Sequence, residues 1–153
     1  MAIESVKKYL SKYNKDKDVI EFDSSSATVR DASQVIGCLE SEIAKTLSFL
    51  VGDHPILIVM AGDKKFDNKK FKNFFGKKAK MIPSELLISL IGHEAGGVCP
   101  FGVNDNVQIY LDVSLKEHSI LYPACGNSHS AIKLSLEELE HIVNYVDWID
   151  VSI

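Results

Sequence analysis

The spacing of apolar side chains predicts helices in several parts of the chain. Ile3, Val6 and Leu10 recur at the 3.6-residue period of one helical face. Thr28 and Ser135 are of the residue types that cap helix N-termini, and each precedes acidic residues by two or three positions. The predicted helices cover residues 3–13, Thr28 to about Cys38, 68–75, 84–90 and 136–143.

The segment from Ala44 to Val51 fits two patterns. As a strand it places Lys45 and Leu47 on one face, whereas as a helix it would align Leu47 with Ile43. We prefer the strand, because a Gly-Asp turn follows it and a second apolar strand begins at Ile56. Lys45 would then lie at the end of an apolar row, where it either reaches water as a strand-end lysine or has a task that offsets its burial.

The predicted strands follow one another too closely in the sequence for all of them to be parallel. Further strands are predicted at residues 19–22, 56–62, 107–115, 120–126 and 131–136. Because several of them follow one another without an intervening helix, the order favours an α/β fold over a doubly wound parallel one. We expect a mixed, partly barrel-like β-sheet surrounded by helices, with residues 1–153 forming a single domain.

Composition excludes a membrane-spanning chain and makes a disulfide scaffold unnecessary. The chain has 153 residues, 46% of them hydrophobic and 25% charged, and its apolar runs are far shorter than the roughly 20 residues that span a bilayer. The amphipathic start lacks the features of a signal peptide. We therefore expect a cytoplasmic protein whose three cysteines are reduced.

Charge is distributed unevenly. The net charge is −4, yet residues 64–80 contain eight of the 17 basic residues and a single acidic one, Asp67. Such a cluster indicates either a surface that attracts phosphate groups or an ordinary solvated face.

The thiols and imidazoles allow two kinds of site. His93, Cys99, Cys125 and His129 are zinc-ligand types, but their spacing matches no common structural zinc motif, and we expect neither a metal nor a cofactor. A hydrolase that uses Cys99 or Cys125 would need a thiolate beside a basic imidazole.

A glycine-rich loop, GGVCPFG (Gly96 to Gly102), offers different chemistry. Without Cβ atoms, Gly96 and Gly97 can turn consecutive N–H groups toward one oxygen, and Pro100 then fixes the exit of the loop. The alternative is an ordinary long turn.

Four stretches of the chain resemble the YbaK/EbsC family of aminoacyl-tRNA deacylases, which is related to the editing domain of bacterial prolyl-tRNA synthetase. They are the Lys45-Thr46 pair in IAKTLSFLV, the strand ILIVMAGD, the G-x-x-x-P loop from Gly96 to Pro100, and the glycine-led turn in CGNSHSAIKLSLEEL. The resemblance implies the corresponding editing-domain fold and hydrolysis, in trans, of the ester in a mischarged tRNA, with Cys- or Ala-tRNA(Pro) as the expected substrate.

The resemblance also implies roles for individual residues. Backbone amides of Gly96 and Gly97 would face the substrate carbonyl, and Lys45 would hold the terminal nucleotide. Substrate-binding roles would fall to Thr46, Pro100, Gly126, Asn127, Ser128 and His129. The partners would be the acceptor end of a mischarged tRNA and a prolyl-tRNA synthetase. A non-catalytic module that binds tRNA or a synthetase on the same fold, and a cysteine hydrolase, stay open as alternatives.

Overall fold

Helices form where the sequence supplies caps. A computed structural model describes residues 2–153. Thr28 accepts a hydrogen bond from the N–H of Asp31 at 3.0 Å, and the following helix ends at Gly37, whose φ is 82°. Within the described range the α-helices are Ala2–Ser11 (α1), Val29–Ile36 (α2), Asn68–Phe75 (α3), Leu87–Leu90 (α4) and Leu136–Ile142 (α5). Turns of 3₁₀ helix cover Asp16–Asp18, Glu40–Glu42, Ser84–Leu86 and Val113–Glu117.

The strands form one large mixed sheet and one small sheet. They are Ile20–Glu21 (β1), Ile43–Val51 (β2), His54–Ala61 (β3), Gln108–Asp112 (β4), Ile120–Pro123 (β5), Ser130–Ala131 (β6), Leu134–Ser135 (β7) and Asp147–Ile149 (β8). The large sheet has the order β7-β5-β2-β3-β4-β8, and β1 pairs with β6 separately. The strand prediction for residues 44–51 is confirmed, and the helical alternative is wrong.

The large sheet curls because its strands diverge. Its β2–β3 and β5–β7 pairs are antiparallel, whereas β2–β5, β3–β4 and β4–β8 are parallel. Only Ile43 and Ala44 of β2 pair with β5, so these two strands separate beyond the first residues of β2. This opening makes the sheet a partly closed barrel with helices around it. The predicted fold class is therefore confirmed.

Two apolar cores lie on opposite faces of the large sheet. Alternate residues of β3 divide between them: Leu57 and Val59 pack with α1 and α5, and Ile58 and Met60 pack with α3. Within residues 2–153 no helix has the length and apolar character that crossing a bilayer requires.

Several strands differ from the prediction; those predicted at 19–22 and 120–126, for example, are shorter. The strand predicted at 107–115 ends at Asp112, because the carboxylate of Asp112 accepts the N–H groups of Ser114 and Val151, each at 2.9 Å, and turns the chain into a 3₁₀ helix. The strand predicted at 131–136 is two short strands in different sheets. No pattern predicted β8, whose three residues pair in parallel with β4.

Candidate functional site

A cavity of about 350 Å³ opens beside the first half of β2. Its walls are residues 43–48 of β2, the start of α2 with the serine-rich segment before it, residues 81–87, the glycine loop, and residues 122–131 in part. Most of the lining is apolar, and hydroxyl groups of serine, threonine and tyrosine supply much of the rest. Lys45 is the only charged side chain among the described residues that line it.

Lys45 is partly buried and tied to the chain that follows β3. Its Nζ donates hydrogen bonds to the carbonyl oxygens of Gly62, at 3.3 Å, and of Lys64. Burial lowers the pKa of Lys45, and Asp63 opposes that shift. Two carbonyl oxygens leave the ammonium one donor for a further acceptor.

Thr46 presents a hydroxyl without a partner. Its Oγ1 is buried and has no hydrogen-bond partner among residues 2–153. Thr46 is one of the residues that line the cavity. A buried hydroxyl left unpaired costs free energy. The Oγ1 atom itself has no accessible surface, so a ligand in the cavity would pair with it only after a small shift of this side chain or of its neighbours.

The two glycines of the loop have different surroundings. Gly96 lines the cavity with φ of 85°, and an added Cβ would lie 2.9 Å from the Cβ of Ala27. Gly97 does not line the cavity, and its N–H donates to the carbonyl of Glu94 at 3.1 Å. Its own carbonyl accepts the N–H of Gly126 at 3.0 Å.

Gly97 is glycine because another backbone passes against it. A Cβ at this position would lie 2.3 Å from the backbone nitrogen of Asn127. Two cavity-lining residues of this loop, Gly96 and Val98, have N–H groups without an acceptor among residues 2–153. These are therefore the loop amides that keep an unused donor beside the cavity.

The segment from Gly126 to His129 lies behind the loop and does not line the cavity. The carbonyl oxygen of Ser128 accepts the N–H of Ser26 at 2.6 Å, and that of His129 accepts the N–H of Phe22 at 2.7 Å. The Oδ1 of Asn127 accepts the N–H of His129 at 2.9 Å. The segment thus holds the serine-rich wall in place.

Pro100 faces a second cavity, of about 490 Å³, on the α1 side of the loop. Of the nine residues that the sequence assigned to the site, the structure brings Lys45, Thr46 and Gly96 to the first cavity, with Gly97 packed directly behind.

The thiols are unsuited to nucleophilic attack. Cys99 is fully buried, and burial raises its pKa to about 12. The Nε2 of His93 lies 3.5 Å from this Sγ and 2.7 Å from the carbonyl oxygen of Phe101. Because a carbonyl only accepts, this Nε2 carries a proton and cannot remove one from the thiol. Cys125 is also buried with a raised pKa.

The structure gives no grouping of metal ligands within the described part of the chain. Among residues 2–153, no three His, Cys, Asp or Glu side chains lie together as a ligand set. All three cysteines are unpaired.

Several lining hydroxyls were missed by the sequence reasoning. Ser26, Thr28, Ser48, Ser84 and Ser130 all line the cavity. A usable signal was present for the first two, because the run SSSAT stands immediately before the predicted N-terminus of α2. The other three lie in separate parts of the chain, and only the fold brings them together.

Comparison with known proteins assigns the family. Residues 23–142 match the model of the aminoacyl-tRNA editing domain. The uncharacterized protein YwhH of Bacillus subtilis (strain 168) is 48% identical over 99% of this chain and 97% of its own length. EbsC of Enterococcus faecalis, named as a proposed Cys-tRNA(Pro)/Cys-tRNA(Cys) deacylase, is 26% identical over 76% of this chain and 73% of its own.

The chain also matches part of a larger enzyme and a solved structure. It is 25% identical to the proline–tRNA ligase of Lactiplantibacillus plantarum over 86% of this chain, but over only 24% of the ligase. A crystal structure described as a proposed trans-editing enzyme for prolyl-tRNA synthetase has the same fold, with a TM-score of 0.88, 24% identity and coverage of 99% and 97% of the two chains. The chain belongs to the aminoacyl-tRNA editing domain family, the family that the YbaK/EbsC resemblance predicted.

Proposed function

We propose that this protein is a trans-acting aminoacyl-tRNA deacylase that hydrolyses the ester of a mischarged tRNA, with Ala- or Cys-tRNA(Pro) as substrate. The observation that carries the proposal is a largely apolar cavity whose lining residues keep some hydrogen-bonding capacity. They are Lys45, whose ammonium has one donor left, Gly96 and Val98, whose N–H groups have no acceptor among residues 2–153, and Thr46, whose hydroxyl is unpaired. The family and the EbsC name support it.

The proposed reaction uses water as the nucleophile. The hydroxide part of the water adds to the ester carbonyl carbon, its proton passes to the departing ribose oxygen, and the products are a free amino acid and uncharged tRNA. Gly96 and Val98 amides would stabilise the oxyanion, a contribution on the order of 10²–10³ in rate for one such donor. Gly97 would position this loop through its close packing on Asn127.

Lys45 and Thr46 would bind the terminal nucleotide. A lysine with a remaining N–H can donate to a ribose or phosphate oxygen, and the unpaired hydroxyl of Thr46 would pair with a further polar group after a small shift of its side chain. Since no carboxylate lines the cavity among the described residues, a cationic amino acid would lack a counter-charge there. This favours amino acids with an uncharged side chain, a class that includes alanine and cysteine.

The proposal places the protein in the cytoplasm, where tRNA is charged, as one editing domain over residues 1–153. Prolyl-tRNA synthetase is the proposed protein partner, because the chain resembles part of proline–tRNA ligases.

The test is a deacylation panel with proline tRNA charged with alanine, cysteine, serine or proline. We expect release of alanine or cysteine above the spontaneous rate, with proline retained. A Lys45→Ala protein purified in the same way controls for contaminating hydrolases. If no charged tRNA is hydrolysed although uncharged tRNA binds, the protein is the non-catalytic module instead.

A further inference from the structure

Six exposed lysines stand without an ionic partner in one segment of the chain. Lys64 pairs with Glu117 at 3.9 Å and Lys70 with Asp150 at 3.2 Å. Within residues 2–153 the other lysines of residues 64–80 form no ion pair and are exposed. We call these six the lysine surface: Lys65, Lys69, Lys72, Lys77, Lys78 and Lys80.

Both ends of the lysine-rich segment are attached to the cavity wall. At the start, the carbonyl of Lys64 accepts from Lys45, which lines the cavity. At the end, the carbonyl of Lys80 accepts the N–H of Leu50 in β2 at 2.8 Å, and Ile82 donates to Ser48 at 3.1 Å. The lysine-rich segment therefore begins and ends beside the cavity, within reach of a polymer whose end is bound there.

The acids in this segment do not neutralise the lysine surface. The carboxylate of Asp67 caps α3 by accepting the N–H of Lys69 at 3.0 Å, and Asp63 acts electrostatically on Lys45. An uncompensated cluster of this kind on a protein of net charge −4 attracts polyanions locally rather than over the whole surface.

An exposed aromatic ring favours RNA over an acidic protein as the polyanion. Phe74 of α3 is 49% exposed. Its ring is held by edge contacts with Phe75 and Tyr110, with centroids 4.8 and 5.9 Å away. Lysines precede and follow Phe74 closely in the sequence, and an exposed aromatic ring near cations lets unpaired bases stack while their phosphates meet the lysines.

We propose that the lysine surface binds the phosphate backbone of tRNA beside its acceptor end; the identity of the RNA rests on the proposed function. The lysines add affinity for the polymer and do not take part in the ester hydrolysis.

The test compares two variants that lose the same charge. One is Lys72→Gln/Lys77→Gln/Lys78→Gln, and the control is Lys8→Gln/Lys12→Gln/Lys17→Gln, whose residues are exposed and do not line the first cavity. Binding of uncharged tRNA is measured by fluorescence anisotropy over a range of salt concentrations. Hydrolysis is measured on charged tRNA and on an aminoacylated CCA trinucleotide.

We expect the first variant to bind tRNA at least about 10-fold more weakly and to lower the slope of log K against log salt by about 2–3, roughly one unit for each lost phosphate contact. Its KM should rise for charged tRNA and stay unchanged for the trinucleotide, with kcat unchanged for both. The control should behave as the wild type in every measurement.

The two proposals fail in different ways. Wild-type affinity and salt slope in the first variant, or an equal loss in the control, would overturn the role of the lysine surface even if deacylation is robust. Loss of binding to prolyl-tRNA synthetase with unchanged tRNA binding would overturn it in favour of a protein partner. Weakened tRNA binding without any hydrolysis would uphold the surface and remove the deacylase.

Discussion

At the scale of single residues, Lys45 joins a structural contact to a place at the cavity. Its ammonium is partly buried at the cavity, with its pKa lowered by burial, and its two carbonyl partners use two of its three donors. The geometry agrees with a side chain that holds part of a bound nucleotide.

We predict that Lys45→Ala lowers kcat/KM for mischarged tRNA on the order of 10²-fold, because a mispositioned substrate loses about that much. The fold should persist, with a loss of stability of about 1 kcal/mol for the hydrogen bonds to the two carbonyls. Kinetics and thermal unfolding check both parts. Lys133→Ala, at an exposed lysine away from the cavity, should change neither, and near-normal turnover by folded Lys45→Ala would remove Lys45 from the site.

The thiols permit a second prediction at this scale. Cys99 and Cys125 are buried with raised pKa values, whereas Cys38 is partly exposed although burial and Glu42 raise its pKa too. Iodoacetamide at pH 8 should therefore label Cys38 in the folded protein and reach the other two only after denaturation. Peptide mass spectrometry gives the labelled sites.

Deacylation should survive this labelling and the Cys99→Ala substitution. A Cys99 thiol with a pKa of about 12 stays protonated throughout the working pH range, so it supplies no thiolate. Complete loss of activity in Cys99→Ala, together with an acyl-thioester on Cys99 in the wild type, would establish the cysteine hydrolase.

At the scale of elements, the glycine loop and the turn at Gly126–Asn127 form one packed unit. Gly97 donates to Glu94 within the loop and accepts from Gly126 across it. The sequence pointed to the loop through its glycines, but it assigned the Gly97 amide to the substrate. Only the position of Asn127, thirty residues away in sequence, shows why a side chain is excluded there.

We predict different costs for two glycine substitutions. Gly37→Ala meets no atom within 4 Å and has only the strain of φ at 82°, about 1–2 kcal/mol. Gly97→Ala would put its Cβ 2.3 Å from the nitrogen of Asn127, so the loop must shift, at about 3 kcal/mol or more. Denaturant unfolding measures both.

Activity should separate the two glycines as well. Displacing the loop moves the amides of Gly96 and Val98, so Gly97→Ala should lower kcat under conditions where it is still folded, and Gly37→Ala should not. A fully active, normally stable Gly97→Ala protein would show that the loop does not need this close packing.

The helices and strands also show which features of the fold could be predicted from the sequence. Capping residues are local signals, so the bounds of α2 and α3 follow closely from Thr28, Gly37 and the segment 68–75. β8 is short and pairs in parallel with a strand far away in sequence, so no local pattern indicates it. For the site, the sequence indicates the chemistry of Lys45 and of the glycine loop. It cannot indicate that the Thr46 hydroxyl is unpaired, because this depends on which groups the fold places around it.

At the scale of the whole molecule, a ligand that binds in the cavity should stabilise the entire fold against unfolding. A non-hydrolysable alanyl-adenosine amide at 100 times its Kd adds about 2.7 kcal/mol to the free energy of unfolding. For a chain of 153 residues this raises Tm by roughly 5–10 °C. Differential scanning fluorimetry measures the shift.

The matched measurements are free alanine with the wild type, and the amide with Lys45→Ala at the same concentration. Neither should raise Tm to a comparable degree. An unchanged wild-type Tm at saturating amide would contradict the assignment of this cavity to the aminoacyl nucleotide.

Ser26 donates hydrogen bonds to Ser128, which lies 102 residues later in the chain. These bonds can therefore form only late during synthesis on the ribosome. The serine-rich wall emerges early, but the segment that anchors it emerges only when most of the chain has been made. At about 5–20 residues per second, Ser128 is synthesised at least several seconds after Ser26. Prematurely terminated chains that lack residues 126–131 would therefore lack the partners of the serine-rich wall, and we expect their cavity to be incomplete.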